Sequence, residues 1–563
     1  MSMEPMNDTV LDELIAEASE KKITTHDQLH RLKNKYLEKY KRSSILNIDL
    51  IEAYRNLLKQ DAIENAPDLI KLLTKRSVRS SSGIVAITVS MKPFICYAQC
   101  IFCPGEPGVP KSYLSNEPAV MRALHNDFDP YRQVHNRLRS LEITGHVIDK
   151  VELHVIGGTF SYYPPQYQTW FVKQCLHALN TYYETKEQFE TIRIDGLEAT
   201  QFTTKTSNIG KIRPVLSLVS VKAENETSRV RCVGMTLETR PSSLNKREIE
   251  RMRMLGCTRV EIGVQTIYDD ILKLNKRGHT IASVVKATKM LRDNGFKITY
   301  HLMPNLLGST IEKDLSMFRA IFSDSRFCPD QIKLYPCVVT EYSELTEIWK
   351  RGEYQPYTDE ELTELIVAMK QFVPPWVRII RIIRDIPKES ILGGSTTSNL
   401  RQVIEQRLKE NNTSCRCIRC REVKDKLYDT DTVCMERVYS VAGSLEYFLS
   451  IEDRKTDTIL AFLRLYIPTS PVSSIVFPEL QESGIIREVH TYGHQLAIGS
   501  VNTESSQHKG LGKKLTYRAE AIARSHGLKK MAVISAVGVR EYYYKLGYLR
   551  DEGKGEYVVK DLG

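Results

Sequence analysis

The order of apolar and polar positions divides the chain into stretches of different period. Residues 1 to about 80 carry apolar side chains at helical spacing, at Leu11, Leu14 and Ile15 and again at Ile51, Tyr54, Leu57 and Leu58, which predicts helices. From residue 83 the pattern changes to short, β-branched apolar runs: "GIVAITVSM" (83–91), "KVELHVIGG" (150–158), "CVGMTLET" (232–239), "RVEIGVQT" (259–266), "KITYHLMP" (297–304) and "QIKLYPCVV" (331–339). Runs of this length and composition read as buried strands. Amphipathic segments separate them, such as "KREIERMRMLG" (246–256) and "IASVVKATKMLRDNG" (281–295), each ending in the glycine that closes a helix. Strand and helix in alternation predict a parallel sheet, doubly wound or a barrel. The polar stretch 184–231 is long for one connection and reads as an insertion or a mobile loop.

Near 390 the alternation breaks at "ILGGSTTSN", a cysteine-rich segment follows, and from about 430 a second α/β unit begins. Its expected strands are "TILAFLRLYI" (458–467) and "MAVISAV" (531–537). The reading is therefore of four parts: 1–80, 81–390, 391–430 and 431–563. A length of 563 residues agrees, being too long for one core.

Composition adds location and partners. The start "MSMEPMNDTV" has neither a basic nor an apolar leader region, and no run reaches the roughly 18 apolar residues of a membrane helix. A cytoplasmic protein without a membrane partner is expected. Twelve cysteines there do not form a disulfide framework, and six of them lie in two tight clusters, which points to metal. The formal charge of +10 is uneven, with "KKITTHDQLHRLKNKYLEKYKR" (21–42) and "KLLTKRSVRSS" (71–81) both rich in Lys and Arg. Each stretch reads as a solvated helix face or as a grip on a polyanion, nucleic acid above all.

The first cluster, "ICYAQCIFCPGEP", sets Cys96, Cys100 and Cys103 at C-x3-C-x2-C with no fourth cysteine nearby. Structural zinc takes four ligands in a closed tetrahedron. Three cysteines on an iron–sulfur cluster leave one iron open to chelate S-adenosylmethionine, and the surroundings favour that reading. The loop follows the first strand, where barrel enzymes carry catalytic loops. Phe102 precedes the third cysteine, and the second strand ends in Gly157, Gly158 and Thr159, small residues that let backbone approach a ligand.

The second cluster, Cys415, Cys417 and Cys420, lies in a segment with too little apolar area to order itself, and a zinc site would supply the missing free energy. Cys337, after "IKLYP", is the candidate fourth ligand, with a histidine or water as alternatives. Arg378, Arg381 and Arg384 in "VRIIRIIRDIP" face RNA or form rim salt bridges. Near the C-terminus, "QHKGLGKKLTYRAEAIARSHG" (507–527) places Gln507, Gly510 and Gly512 ahead of an amphipathic helix, a cradle for pyrophosphate. "VREYYYKLGY" (539–548) then carries Tyr542, Tyr543 and Tyr544, for packing or, at one of them, for proton donation with a phenol of ordinary pKa about 10.

The cysteine spacing with its aromatic resembles the radical S-adenosylmethionine superfamily, and the C-terminal unit resembles the Gcn5-related N-acetyltransferase fold. The strings "RSSSGIVAITVSMKP", "DKVELHVIGGTF", "LETRP", "GCTRVEIGVQT" and "VISAVGVREYYYKLGY" look like the Elongator catalytic subunit family, tRNA wobble-uridine acetyltransferases, from about residue 75 onward. The resemblance implies a partial (β/α) barrel joined by a zinc-binding linker to an α/β acetyltransferase domain, after a helical tRNA-binding segment. It implies a [4Fe–4S] cluster on Cys96, Cys100 and Cys103, with S-adenosylmethionine against Gly157, Gly158, Thr159, Glu238, Arg240 and Gln265. Glu238 and Arg240 would otherwise be a rim ion pair. Acetyl-CoA is implied at Glu488, Val489, His490 and Thr491, at Leu511, Gly512 and Lys513, at Tyr543, and from the barrel side at Lys150. The implied product is 5-carboxymethyluridine at the wobble position of the anticodon loop. An electron donor, and accessory subunits or a second copy, are the implied partners. Lysine acetylation, the other family reading, would leave the cysteine loop without a role.

Overall fold

The computed structural model describes residues 8–41, 44–74, 83–188, 190–194, 201–205, 217–423, 431–469, 472–492, 510–550 and 555–563. Gln507, most of 195–216 and the end of the second basic stretch lie outside them. At the N-terminus, helices α1 (Asp8–Glu20), α2 (His26–Lys39), α3 (Asn47–Lys59) and α4 (Pro67–Leu73) pack around their own apolar core. Thr25 and Gln28 close a reciprocal capping box at the start of α2. Lys21 and Lys35 pair with Glu17, and Lys39 with Glu13, so part of the first basic stretch is neutralised within the bundle.

The barrel strands are β1 (Val85–Ser90), β2 (Lys150–Ile156), then, after the hairpin β3 (Glu190–Ile194) and β4 (Gln201–Lys205), β5 (Arg231–Thr239), β6 (Arg259–Gln265), β7 (Lys297–Leu302) and β8 (Gln331–Leu334). A short β9 (Val339–Thr340) precedes β10 (Arg378–Arg381) and pairs with β11 (Ile391–Gly393). Seven strands form one parallel sheet in the order β1-β2-β5-β6-β7-β8-β10. The sheet curls into a half-barrel whose edges β1 and β10 do not pair, which leaves a seam. Helices α5 (Pro118–Leu124) and α6 (Pro130–Ile143) lie along β1.

The second unit is a six-stranded sheet, β12 (Thr432–Val441), β13 (Ser444–Asp453), β14 (Thr458–Ile467), β15 (Ser483–Thr491), β16 (Lys530–Val533) and β17 (Val558–Asp561), ordered as numbered. Only β15 and β16 run parallel, and their pairing ends at Ile486 and Val533. Beyond that point the two strands part, so Glu488–Thr491 keeps an edge that β16 does not cover.

The sheet docks on the end of the barrel where the strands begin, opposite the cysteine loop. Buried charge holds it there. A bulge in β15 at Arg487 sends that guanidinium to Asp330, just ahead of β8 (2.5 Å), and to Glu446 (2.6 Å). Arg292 pairs with Glu446 (3.1 Å), and Arg464 with Glu488 (3.0 Å). At the strand starts, Lys297 pairs with Glu488 (2.5 Å) and Arg231 with Glu541 (2.7 Å). The barrel's apolar core continues into the second sheet through Tyr466, Ile485, Ala532 and Ile534.

Candidate functional site

At the loop end, β1 delivers Cys96, Cys100 and Cys103 and β2 delivers the glycines. Gly157 (φ +141°) and Gly158 (φ +90°) hold backbone that other residues rarely adopt, and a Cβ at Gly157 would lie 2.9 Å from Met91 Cβ. Gly157 thus serves the approach of two loops, while Gly158 and Thr159 line the cavity. Cys100 is buried, its Sγ 3.2 Å from Arg277 and 3.6 Å from Arg240. A hydrogen bond from the Cys103 thiol and these two guanidinium groups outweigh burial and hold Cys100 at about 4, a thiolate at neutral pH. Arg277 lies over the Phe102 ring, 5.8 Å from its centroid. This donor set fits a soft iron–sulfur group. Gln265 keeps φ +69° at the end of β6, and its buried Oε1 has no hydrogen-bond partner.

Below the loop the lumen is charged. In β2 the side chains of Val151, Leu153 and Val155 pack outward into the core, while Lys150, Glu152 and His154 point inward. Barrel interiors are ordinarily filled by apolar layers; here a cavity of about 1970 Å³ replaces them. Glu261 is fully buried and takes bonds from Lys333 and from His301 Nε2 (2.6 Å). His154 Nε2 lies 3.4 Å from Glu238 and 3.5 Å from Glu261. Tyr113 donates its hydroxyl to Glu238 (2.8 Å). Burial pushes Glu238 up, but Lys333 and His154 outweigh it and hold the carboxyl at about 2. Glu152 pairs with Arg259 (2.7 Å). Among the described residues no ion pair joins Glu238 to Arg240, and both face the cavity instead.

The six-stranded sheet forms the floor of the same cavity. Lys150, Glu488, Val489, His490 and Tyr543 line it together with Cys96, Cys100 and Cys103 at the other end. From Lys150 to Ile156 the wall is about 20 Å long, at ~3.3 Å per residue. Burial pushes Glu488 up, and Lys297 and Arg464 bring it down to about 2. Burial keeps His490 neutral, at about 4. Tyr543 is buried against Tyr542 and Tyr548 and stays protonated, since burial raises its pKa far above the ordinary value. Thr491, Gly510, Leu511, Gly512 and Lys513 gather outside the cavity, at the start of the helix Leu511–Ser525. A Cβ at Gly512 would lie 2.9 Å from the Tyr542 hydroxyl, so that tyrosine, rather than Tyr543, meets the glycine turn.

The ligand sulfurs of Cys415, Cys417 and Cys420 lie within 4.8 Å of one another. Hydrogen bonds from Cys415 and Cys420 hold Cys417 well below the usual thiol value, so the trio fits a thiolate-seeking metal. Lys370, fully buried, sets its ammonium 3.7 Å from Cys420 Sγ. Cys337 does not join them. The chain after β8 packs Cys337 beneath the other cysteine loop, with Cys100, Ile101 and Tyr354, and burial pushes its thiol up to about 12. The triad instead hangs from the start of β10, where Ile418 N–H donates to Val377 O (2.9 Å).

Comparison with known proteins agrees with this geometry. Residues 93–320 match the Radical SAM superfamily and residues 329–410 its C-terminal domain. The tRNA uridine(34) acetyltransferase of Methanocaldococcus infernus is 42% identical over 521 residues, covering 90% of this chain and 91% of that protein. The chain belongs to this family. Elongator complex protein 3 of Schizosaccharomyces pombe is 35% identical, over 98% of this chain and 97% of its own. The structure of M. infernus Elp3 lacking residues 1–46 superposes with TM-score 0.70 at 38% identity, over 85% of this chain and 99% of that one. For an Elongator-type chain, the lumen residues Glu152, His154, Glu261, His301 and Lys333 are what sequence reasoning missed. The signal was present in "KVELHVI" and "QIKL", where polar or charged residues fall at every second position of a strand. No helix among the described residues is long and apolar enough to cross a membrane.

Proposed function

We propose that this chain is a tRNA wobble-uridine acetyltransferase that uses acetyl-CoA to place a carboxymethyl group on C5 of uridine 34. The observation that carries the reading is the single lumen, with three cysteines at one end and the splayed acetyltransferase strand at the other. A [4Fe–4S] cluster on Cys96, Cys100 and Cys103, with S-adenosylmethionine, supplies the radical chemistry that activates the acetyl methyl group. Arg240 and Arg277 keep Cys100 ionised, and Gly158 and Thr159 leave room beside it. Glu238, fixed by Tyr113, offers a carboxylate to ribose hydroxyls. The backbone of Glu488–Thr491, uncovered by β16, accepts and donates hydrogen bonds along the pantetheine amides. Lys150 faces the thioester from the barrel wall. Water would hydrolyse the thioester to leave the carboxylate, and Tyr543, held protonated, would give its proton to the CoA thiolate that departs and regain one from that water.

Nucleoside mass spectrometry of tRNA incubated with the purified protein tests the proposal. 5-Carboxymethyluridine is expected at position 34 only when S-adenosylmethionine, acetyl-CoA and a reductant are all present. Acetylated lysine formed without reductant, and unmodified tRNA, would assign lysine acetylation instead. A reductase, and partner subunits of the kind the name Elongator complex protein 3 implies for the yeast relative, are the proteins this reading calls for. The basic face of the N-terminal bundle is the proposed first contact for tRNA.

Zinc is the proposed occupant of Cys415, Cys417 and Cys420. Changing all three to serine should remove about one zinc per chain and lower the melting temperature of the segment between the sheets. Retention of both zinc and melting temperature would refute the assignment.

A further inference from the structure

The seam of the half-barrel is lined by arginines of two kinds. Arg378 donates to Glu422 (2.6 Å) and Tyr492 (2.9 Å), Arg384 to Glu117 (2.9 Å), and Arg381 to Asp385 (2.5 Å). These three, the arginines that the sequence singles out, have carboxylates of their own. Among the described residues, Arg401 and Arg419 have none. Arg401 reaches only the Ile380 carbonyl (3.4 Å), and its Nη1 is buried without a hydrogen-bond partner. Arg419 is half-buried on the short helix Ile418–Arg421, between two cysteines of the triad, and no described carboxylate pairs with it. Both side chains open on the same cavity, and across the seam α5 and α6 contribute Arg122 and Arg137 to it.

Partly desolvated guanidinium groups without a counter-ion are costly unless a ligand supplies the anion. A planar guanidinium fits two phosphate oxygens at once. Basic residues on both walls of an elongated opening suit a chain of phosphates better than a single small anion.

We infer that Arg401 and Arg419 form a phosphate grip that holds the RNA backbone along the open seam while the target base enters the lumen. The inference rests on the tRNA reading above and gives the cysteine segment a second role, since that segment carries Arg419 to the substrate.

The test is the salt dependence of binding of a fluorescent anticodon stem-loop to the full chain, measured by anisotropy. The double variant Arg401→Gln/Arg419→Gln should weaken binding roughly tenfold and lower the slope of log K against log salt by about 1.4 to 1.8, two phosphate contacts' worth. Lysine at both positions should restore most of the slope. Acetyl-CoA affinity and iron content should not move, and the single Arg401→Gln, which leaves the cysteine segment intact, should show about half the slope change. A slope equal to wild type in a folded double variant overturns the grip. Weakened acetyl-CoA binding with an unchanged RNA slope also overturns it, assigning the pair to CoA phosphate. A wild-type chain that binds no tRNA would sink the functional reading itself, and the grip with it.

Discussion

Replacing Asp330 by alanine is expected to detach the six-stranded sheet from the barrel at a cost of about 3–5 kcal/mol, the usual effect of leaving buried charge without its partner. Asp330 is fully buried, accepts the Ile298 N–H (2.8 Å), and meets Arg487, with Arg464 and Arg292 at 3.6 and 3.7 Å. Its removal leaves three buried guanidinium groups to share Glu446 and Glu488. Hydrogen exchange at β15 should accelerate by two orders of magnitude or more, since a tenfold change is about 1.4 kcal/mol. Burial would raise the Asp330 carboxyl, but Arg487 and Arg464 hold it far below its ordinary value. A depressed carboxylate stabilises the native state above its unfolded pKa and loses that contribution as pH falls toward its folded value. The docked state should therefore weaken as pH drops below about 4, and Glu488, at about 2, acts in the same window. Asp330→Ala should flatten this acid limb. Exchange at β15 that stays within a factor of about three of wild type would mean that apolar packing alone holds the domains together.

Replacing Cys100 by alanine should have the largest effect on chemistry. Cys100 is the thiol whose surroundings are built for ionisation, with Arg277 at 3.2 Å and Arg240 at 3.6 Å. After anaerobic reconstitution, iron should fall from roughly four atoms per chain to near zero, and 5-carboxymethyluridine should fall below detection. The fold should persist, because Arg277 keeps the Gly263 carbonyl (2.7 Å) and Arg240 keeps the Arg277 carbonyl. Acetyl-CoA affinity, which the proposed function sets at the far end of the lumen, should change by less than about twofold. Full iron content in Cys100→Ala, or zinc in its place in the wild type, would remove the cluster reading.

The chain's local chemistry determined a good part of this protein. Short β-branched apolar runs placed six of the seven barrel strands, and β10, which carries Arg378 and Arg381, was not read as a strand. C-x3-C-x2-C after the first strand states its chemistry within a few residues, in agreement with the match to the Radical SAM superfamily. Strands β12 and β13 were not legible. One face carries Glu446, Glu452 and Arg437 into buried ion pairs, while Leu449 and Ile451 on the other face of β13 join an apolar core, so no simple polar-out alternation marks them. The alternation in "KVELHVI" and "QIKL" marked a polar strand face, but Glu261 and Lys333 are 72 residues apart, and their pairing inside a cavity is not a local property. Cys337 shows the converse error, in which nearness to a strand end suggested a ligand that packing then placed beneath the other cysteine loop. Which end of the barrel receives the second sheet, and which arginines lack a carboxylate, depend on pairings between distant residues. Such pairings follow from how desolvated charges find partners when elements dock, and only the tertiary structure decides that.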